Sequence, residues 1–254
     1  MAQQKAINVA LVCAGKYHDI DFARLELLKL LHEHEPVRVE VFSDYALGDA
    51  LDTMDCLVSY TCDVVASDAE TAALQRWLQG GGRWFALHGT NSVIEFASTK
   101  PLKIATPDRA AGFMNLLGSQ FQAHPPIGEF DVHVAEHDAV LTDGVGHFKT
   151  TDELYLCQLR GDVETLLYCE YDGELPEFEG TDWRATQRQP ILYRRRQGDG
   201  EVVYLTLGHS RGHYDMQPLM DYYPAVERGS WETPEYYQLL RNGIRWATQL
   251  STDR

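Results

Sequence analysis

Gly80-Gly81-Gly82-Arg83-Trp84-Phe85-Ala86-Leu87-His88-Gly89-Thr90-Asn91 is the stretch that decides the fold. Three glycines read as a turn, Arg83 to Leu87 as a buried strand, and His88-Gly89 as a second, sharp turn. In α/β enzymes, a strand followed by a reactive residue and a glycine lifts one side chain above the sheet edge. Serine or cysteine at that point would indicate acyl transfer. Histidine offers a general base, a general acid or a metal ligand. The competing reading is a buried histidine hydrogen-bonded to backbone.

Outward from this stretch, strands alternate with helices. Ile7 to Cys13 is a continuous apolar run, as a strand buried on both faces requires. A loop through His18 and Asp19 leads to a helix with Phe22, Leu25, Leu28 and Leu31 or Leu30 at helical spacing, ended by Pro36. Val37–Phe42 and Asp55–Tyr60 read as strands two and three. Ser67 or Asp68 caps a helix carrying Ala72, Leu74, Trp77 and Leu78, and the glycines stop it. This alternation predicts βαβ units, a mostly parallel sheet and a three-layer α/β sandwich with His88 at the carboxyl edge. Later, 130–134 and 163–171 read as strands. Residues 189–196 and 201–207 read as strands joined by the turn Gly198-Asp199-Gly200, and 234–250 as a closing helix. Residues 100–108 and 171–189 read as loops, the second an acidic flap. One domain is expected over 1–254.

The chain has 254 residues and a formal charge of −16. That charge argues against nucleic acid or an anionic membrane as partner, since both are held by Lys and Arg. No run approaches the roughly 18 apolar residues of a membrane span. Met1 to Lys5 run straight into a strand, so no signal peptide is expected. Five cysteines without repeating spacing predict reduced, buried thiols and a cytoplasmic protein. Cys62 follows the third strand, but Asp63 beside it disfavours a reactive thiolate.

Ligands of open α/β sheets bind beyond the carboxyl ends of the strands. His18, His88 and His209 each follow a strand, and His124 lies in Gly118-Ser119-Gln120-Phe121-Gln122-Ala123-His124-Pro125. These four are expected to share one pocket. Glu153, in Asp152-Glu153-Leu154-Tyr155, is the nearest carboxylate candidate for a base or a metal ligand, and Asp152 reads as a cap. Asp19 is expected to orient His18, and Asp215 to orient His213. His88, His209 and Glu153 are the catalytic candidates; His18, Asp19, His124, Arg211 and His213 are the substrate-binding ones. The sequence establishes no cofactor. If a divalent ion binds, zinc or a similar transition metal is expected on two or three of His88, His209, His213 and Glu153. The alternative is a metal-free pocket rich in His and Arg. His32, His34, His133, His137 and His147 read as structural or solvated. Trp183, Tyr214 and Trp231 are candidates for stacking on a sugar ring.

Several motifs together carry a family resemblance. The segments 81–89, 117–125 and 152–155, with 198–209 (Gly-Asp-Gly-Glu-Val-Val-Tyr-Leu-Thr-Leu-Gly-His) and 241–247 (Arg-Asn-Gly-Ile-Arg-Trp-Ala), resemble the trehalose-utilisation, or ThuA-like, family. The resemblance spans nearly the whole chain. It implies a class I glutamine-amidotransferase-like (flavodoxin-like) fold and a place in carbohydrate catabolism beside oxidoreductases that make 3-keto sugars. Amidotransferases carry cysteine at the elbow, so glutaminase activity does not follow here. Glu136-His137-Asp138-Ala139 departs from the family's more usual His-Pro pair, and the tail through Arg211 and His213 is also less typical. Two function classes follow. One is a lyase, isomerase or hydrolase acting on a keto-sugar or glycoside by histidine acid–base chemistry, with or without a metal. The other is a non-catalytic sugar-binding or regulatory protein on a degenerate enzyme fold. The expected partner is a small carbohydrate; a homo-oligomer is compatible with the sequence.

Overall fold

Alternate residues of the first strand belong to different cores, and this organises the molecule. In the computed structural model, which describes residues 5–99, 101–179 and 188–250, β1 (Ile7–Gly15) sends Val9, Leu11 and Cys13 to one apolar cluster and Ala10 and Val12 to another. Both faces of the sheet must therefore be covered. After β1 come α1 (Ile20–Leu31), β2 (Val37–Phe42), β3 (Cys56–Cys62), α2 (Asp68–Gln79) and β4 (Arg83–Leu87). A hairpin of β5 (Glu95–Thr99) and β6 (Leu102–Ala105) follows, then α3 (Ala111–Leu117), β7 (Ser119–Ala123), β8 (Gly128–Val134), β9 (Phe148–Asp152) and β10 (Leu156–Leu159). β11 (Glu164–Glu170), β12 (Arg188–Gln197), β13 (Gly200–Leu205) and α4 (Pro234–Thr248) complete the chain.

Among the described residues the main sheet has nine strands, in the order β2-β1-β3-β4-β13-β12-β11-β8-β9. The block from β2 to β13 is parallel. From β12 onward the neighbours are antiparallel. The sheet is thus mixed: the expected parallel pattern covers one half, and hairpin-type pairings build the other. Residues of α1 and α4, such as Leu27, Leu31, Leu240 and Ile244, join the first cluster. Residues of α2 and α3, such as Leu74, Leu78, Phe113 and Leu117, join the second. Each large apolar side chain so buried is worth about 1.5–3 kcal/mol relative to exposure. α2 begins with a capping box: Glu70 N–H donates to Ser67 Oγ and Ser67 N–H donates to the Glu70 carboxylate.

Periodicity placed the parallel block to within a few residues. It did not show β5, β6, α3, β7, β9 or β10. Part of the expected 100–108 loop is strand β6, and part of the expected flap, residues 180–187, lies outside the described residues, as does Trp183. No helix among the described residues is long and apolar enough to cross a membrane.

Candidate functional site

The parallel strands deliver three histidines to one sheet edge. His18 follows β1, His88 follows β4 and His209 follows β13. Glu153 follows β9 directly and His124 follows β7, so the mixed half of the molecule faces them. His18, His88, Glu153 and His209 are all buried, and their ligand atoms lie within 4.8 Å of one another. Glu153 is the hub. Its Oε2 lies 3.6 Å from His18 Nε2, 3.6 Å from His88 Nε2 and 3.2 Å from His209 Nδ1. Its Oε1 lies 3.1 Å from Arg211 and 3.8 Å from His124 Nε2.

His88 occupies a strained turn. Its φ is +43°, a region that costs a non-glycine residue about 1–3 kcal/mol. Specific contacts hold it there. The Tyr204 hydroxyl donates to the His88 carbonyl and accepts from Asn91 N–H, and Thr90 Oγ1 donates to the Leu87 carbonyl. A Cβ on Gly89 would meet the Thr61 carbonyl at 2.6 Å, so only glycine fits after His88. The His209 turn is held by Asp152, a buried carboxylate that accepts backbone N–H from Glu153, Gly208, His209 and Ser230 at 2.7–3.0 Å. Asp152 is not the local helix or turn cap the sequence suggested: it ties three segments to the site.

The far nitrogen of each ring defines its near one. His18 Nδ1 faces the Lys16 carbonyl at 3.1 Å, and His88 Nδ1 faces the Thr206 carbonyl at 2.9 Å. A carbonyl only accepts, so both Nδ1 atoms carry hydrogen and both Nε2 atoms are bare in the neutral rings. Yet the two Nε2 atoms stand 2.9 Å apart, with a carboxylate oxygen close by. His209 Nε2 meets Glu227 Oε2 at 2.8 Å, while its buried Nδ1 has no hydrogen-bond partner. Lone pairs converging without a donor repel unless a cation lies among them. Imidazoles fixed by acceptors behind them and aimed at one point are how proteins build metal sites. The donor set, three imidazole nitrogens and one carboxylate, suits zinc or a similar transition metal.

Electrostatics bear on the same point. Burial pushes the His18 pKa down to about 3, against the pull of Glu153, so His18 is not the missing cation near neutrality. Burial disfavours a charged His209 as well, but Glu153 and Glu227 outweigh it and raise its pKa to about 9. Without a metal, a proton on His209 is the charge that offsets these carboxylates. Burial also opposes ionisation of Glu153, yet His209, His124 and His18 hold its pKa well below the usual carboxylate range.

Other expectations map onto different places. His213 is outside the ligand group: its ring stacks on Tyr222 and its Nδ1 faces the Tyr223 carbonyl at 2.7 Å. Asp215 accepts from Gly212 N–H and does not orient His213. Asp19 caps α1 through Phe22 N–H and pairs with Arg228; the acceptor behind His18 is the Lys16 carbonyl instead. Burial raises the Cys62 pKa well above its ordinary value, which argues against a thiolate. Trp231 is a core pillar that donates from Nε1 to the Gly208 carbonyl, and Tyr214 is 67% exposed. Sequence reasoning missed Glu227, which takes His209 Nε2 and Arg211 together. Its loop has no periodicity; the only signal was that His209 and Arg211 both need a carboxylate partner.

A cleft of about 470 Å³ opens onto His18, Glu153, Arg211 and Glu227, with His124 on its wall. His88 and His209 lie behind this floor, with no exposed surface.

Comparison with known proteins agrees with this architecture. The chain is similar to a ThuA-like protein from Bacteroides uniformis, at 17% identity and TM-score 0.65, covering 97% of this chain and 93% of that one. It is also similar to one from Parabacteroides merdae, at 12% identity and TM-score 0.70, covering 98% and 93%. A β-galactosidase from Bacillus circulans sp. alkalophilus shares the fold over 31% of its own length, at 10% identity and TM-score 0.56. At these identities the likeness concerns the fold alone. No curated protein matches the sequence. The model of the family described as ThuA, trehalose utilisation, matches residues 8–223, and the chain belongs to that family.

Proposed function

We propose that this protein is a carbohydrate-catabolism enzyme that acts on a keto-sugar of the 3-keto-glycoside type, with a divalent transition metal held by His18, His88, His209 and Glu153. The observation that carries the reading is the set of bare ring nitrogens converging on one carboxylate, each fixed by an acceptor behind it. The family's link to trehalose utilisation supports the substrate class. We also read the fold as class I glutamine-amidotransferase-like, or flavodoxin-like. The strand order β2-β1-β3-β4-β13 and the elbow at His88 favour that finer assignment.

Burial separates the roles. His88 and His209 have no exposed surface, which suits ligands and not proton carriers to substrate. His124 reaches the cleft, and its Nδ1 faces the Pro125 carbonyl at 2.7 Å, so Nε2 is the bare nitrogen. His124 is therefore the general base in this proposal. A carbonyl at C3 acidifies the neighbouring C–H. His124 Nε2 takes that proton, and the C–H electron pair moves toward the carbonyl oxygen. Return of the proton to the former carbonyl carbon, with the hydroxyl proton of the deprotonated carbon passing to the former carbonyl oxygen, isomerises the sugar; departure of the substituent one carbon further on, which takes the proton from His124, completes an elimination. A divalent ion in this site supplies Lewis-acid stabilisation of charge on the substrate oxygen. Arg211 clamps Glu153 Oε1 and Glu227 Oε2, keeping Glu153 Oε2 turned toward the histidines.

The test is solvent exchange. The zinc-loaded protein is incubated with methyl 3-keto-glucoside in heavy water and followed by proton NMR. Accelerated loss of the signal next to the carbonyl is expected, and it should slow by about 10²–10⁴-fold in His124→Ala. Exchange no faster than without protein, and no product, would reject the reading.

A further inference from the structure

The floor and the walls of the cleft differ in chemistry. The floor is His18, Glu153, Arg211 and Glu227; the walls are Ile94, Phe96, Leu102, Ile104, Phe121 and Phe178. The wall is built on purpose-shaped backbone outside the main sheet. β5 and β6 form a two-stranded sheet of their own, and β6 is bridged at Ile104 to Phe178. Ile104 N–H donates to the Glu177 carbonyl at 2.7 Å and Glu179 N–H donates to the Ile104 carbonyl at 2.9 Å, so the hairpin is fastened to the segment carrying Phe178. Phe178 meets the rings of Phe121 and His124 edge-on, at 6.0 and 5.4 Å. Phe96 meets Tyr17 in the same way at 5.5 Å, and Leu102 remains 43% exposed at the rim.

A second sugar ring would set hydroxyls against this wall. Aromatic faces can stack on a sugar, but Ile94, Leu102 and Ile104 offer neither a flat face nor a hydrogen bond. Hydroxyls stripped of water there would stay unpaired. An apolar group of similar size would bury hydrocarbon on hydrocarbon. The volume lies within the range of about 300–1,000 Å³ that encloses a ligand larger than one hexose. We infer that the substrate is a glycoside with an apolar aglycone, aryl or alkyl, whose sugar sits on the polar floor and whose aglycone lies against the β5–β6 wall. This rests on the carbohydrate reading above.

The experiment is calorimetric titration of the zinc-loaded protein with glucosides that lack the C3 carbonyl and so do not react. Phenyl and hexyl glucoside should bind at least about tenfold more tightly than methyl glucoside. In the double variant Leu102→Gln with Phe96→Gln, the advantage should shrink to less than about threefold while methyl glucoside binds as before. Equal affinity for methyl and hexyl glucoside, or tighter binding of trehalose than of phenyl glucoside, would overturn the inference and leave the carbohydrate reading standing. Hexanol binding as tightly as hexyl glucoside, or no glucoside binding at all, would overturn both. If the double variant does not fold, the wild-type series decides alone.

Discussion

The two halves of the sheet contribute different things to one site. The parallel half, β2 to β13, brings His18, His88 and His209 to a common edge because all its strands run the same way. The antiparallel half and its neighbours bring Glu153 and His124 from the opposite side. The first half supplies three buried imidazoles, His18 on the cleft floor and His88 and His209 behind it. The second supplies the carboxylate hub, His124 in the cleft and the wall. The site exists only where the halves meet, so perturbing each side should produce a different failure.

Breaking the parallel side should have the largest effect. His88→Ala removes a ligand at a strained turn, and turnover of a 3-keto-glycoside is expected to fall to background. Its one backbone hydrogen bond is worth about 1–3 kcal/mol when left unmade, so the fold should persist. Activity and thermal melting measured together check this. A variant with a lowered melting temperature and full activity would assign His88 to the core.

Breaking the opposite side at His124 should be graded. Loss of a general base costs about 10²–10⁴-fold in rate. His124→Ala should lose that much in kcat while binding as much zinc as the wild type. Loss of zinc with the base would mean that His124 is a ligand and that the halves are not divided as described.

The seam itself should fail by unfolding. In Asp152→Asn one carboxylate oxygen becomes an amide, which leaves two of the four backbone donors without an acceptor. About 2–4 kcal/mol of stability should be lost. For a chain of this size that lowers Tm by roughly 2–4 °C per kcal/mol. An unchanged Tm would show that the seam is held elsewhere.

Legibility in the sequence followed the same division. Buried parallel strands are continuous apolar runs, and helices that cover them keep a clean period, so β1 to β4 and the three strand-end histidines could be read directly. Strand β9 has the sequence Phe-Lys-Thr-Thr-Asp, too short and polar to stand out, although its buried and exposed residues alternate in the fold. Glu153 was read from its neighbours and the family motif, but its place among four histidines needed the antiparallel half to fold back. His213 lies four residues from His209, a spacing that suits a shared metal only on a helical turn, and the flanking Gly208 and Gly212 already point to a loop. The segment is a loop and not a helical turn, so that spacing brings nothing together. Asp19 beside His18 misled for a similar reason: adjacency in sequence sent the carboxylate to the helix cap.

The smallest effect should come from a partly exposed ion pair between β11 and β12, which is not part of the site. Arg194 binds Glu164 with two hydrogen bonds and also pairs with Asp138. Its hydrogen bonds depress the Glu164 pKa, so this contribution is present above the ordinary value of 4.5 and fades as pH falls through the folded value. Glu164 is more than a third exposed, so solvent screening limits the pair to about 0.5–1 kcal/mol. Arg194→Gln should therefore lower Tm slightly at neutral pH, leave turnover unchanged, and approach the wild type as pH drops below 4.5. A gap that widens in acid would contradict that sign.

The central claim is that the two halves meet around a metal ion. The direct measurement is turnover of a 3-keto-glycoside by chelator-stripped protein as zinc is added back. The account predicts no turnover without the ion, a linear rise, and saturation at one ion per chain. Full turnover in the presence of a strong chelator, with no metal detected in the protein, would contradict it.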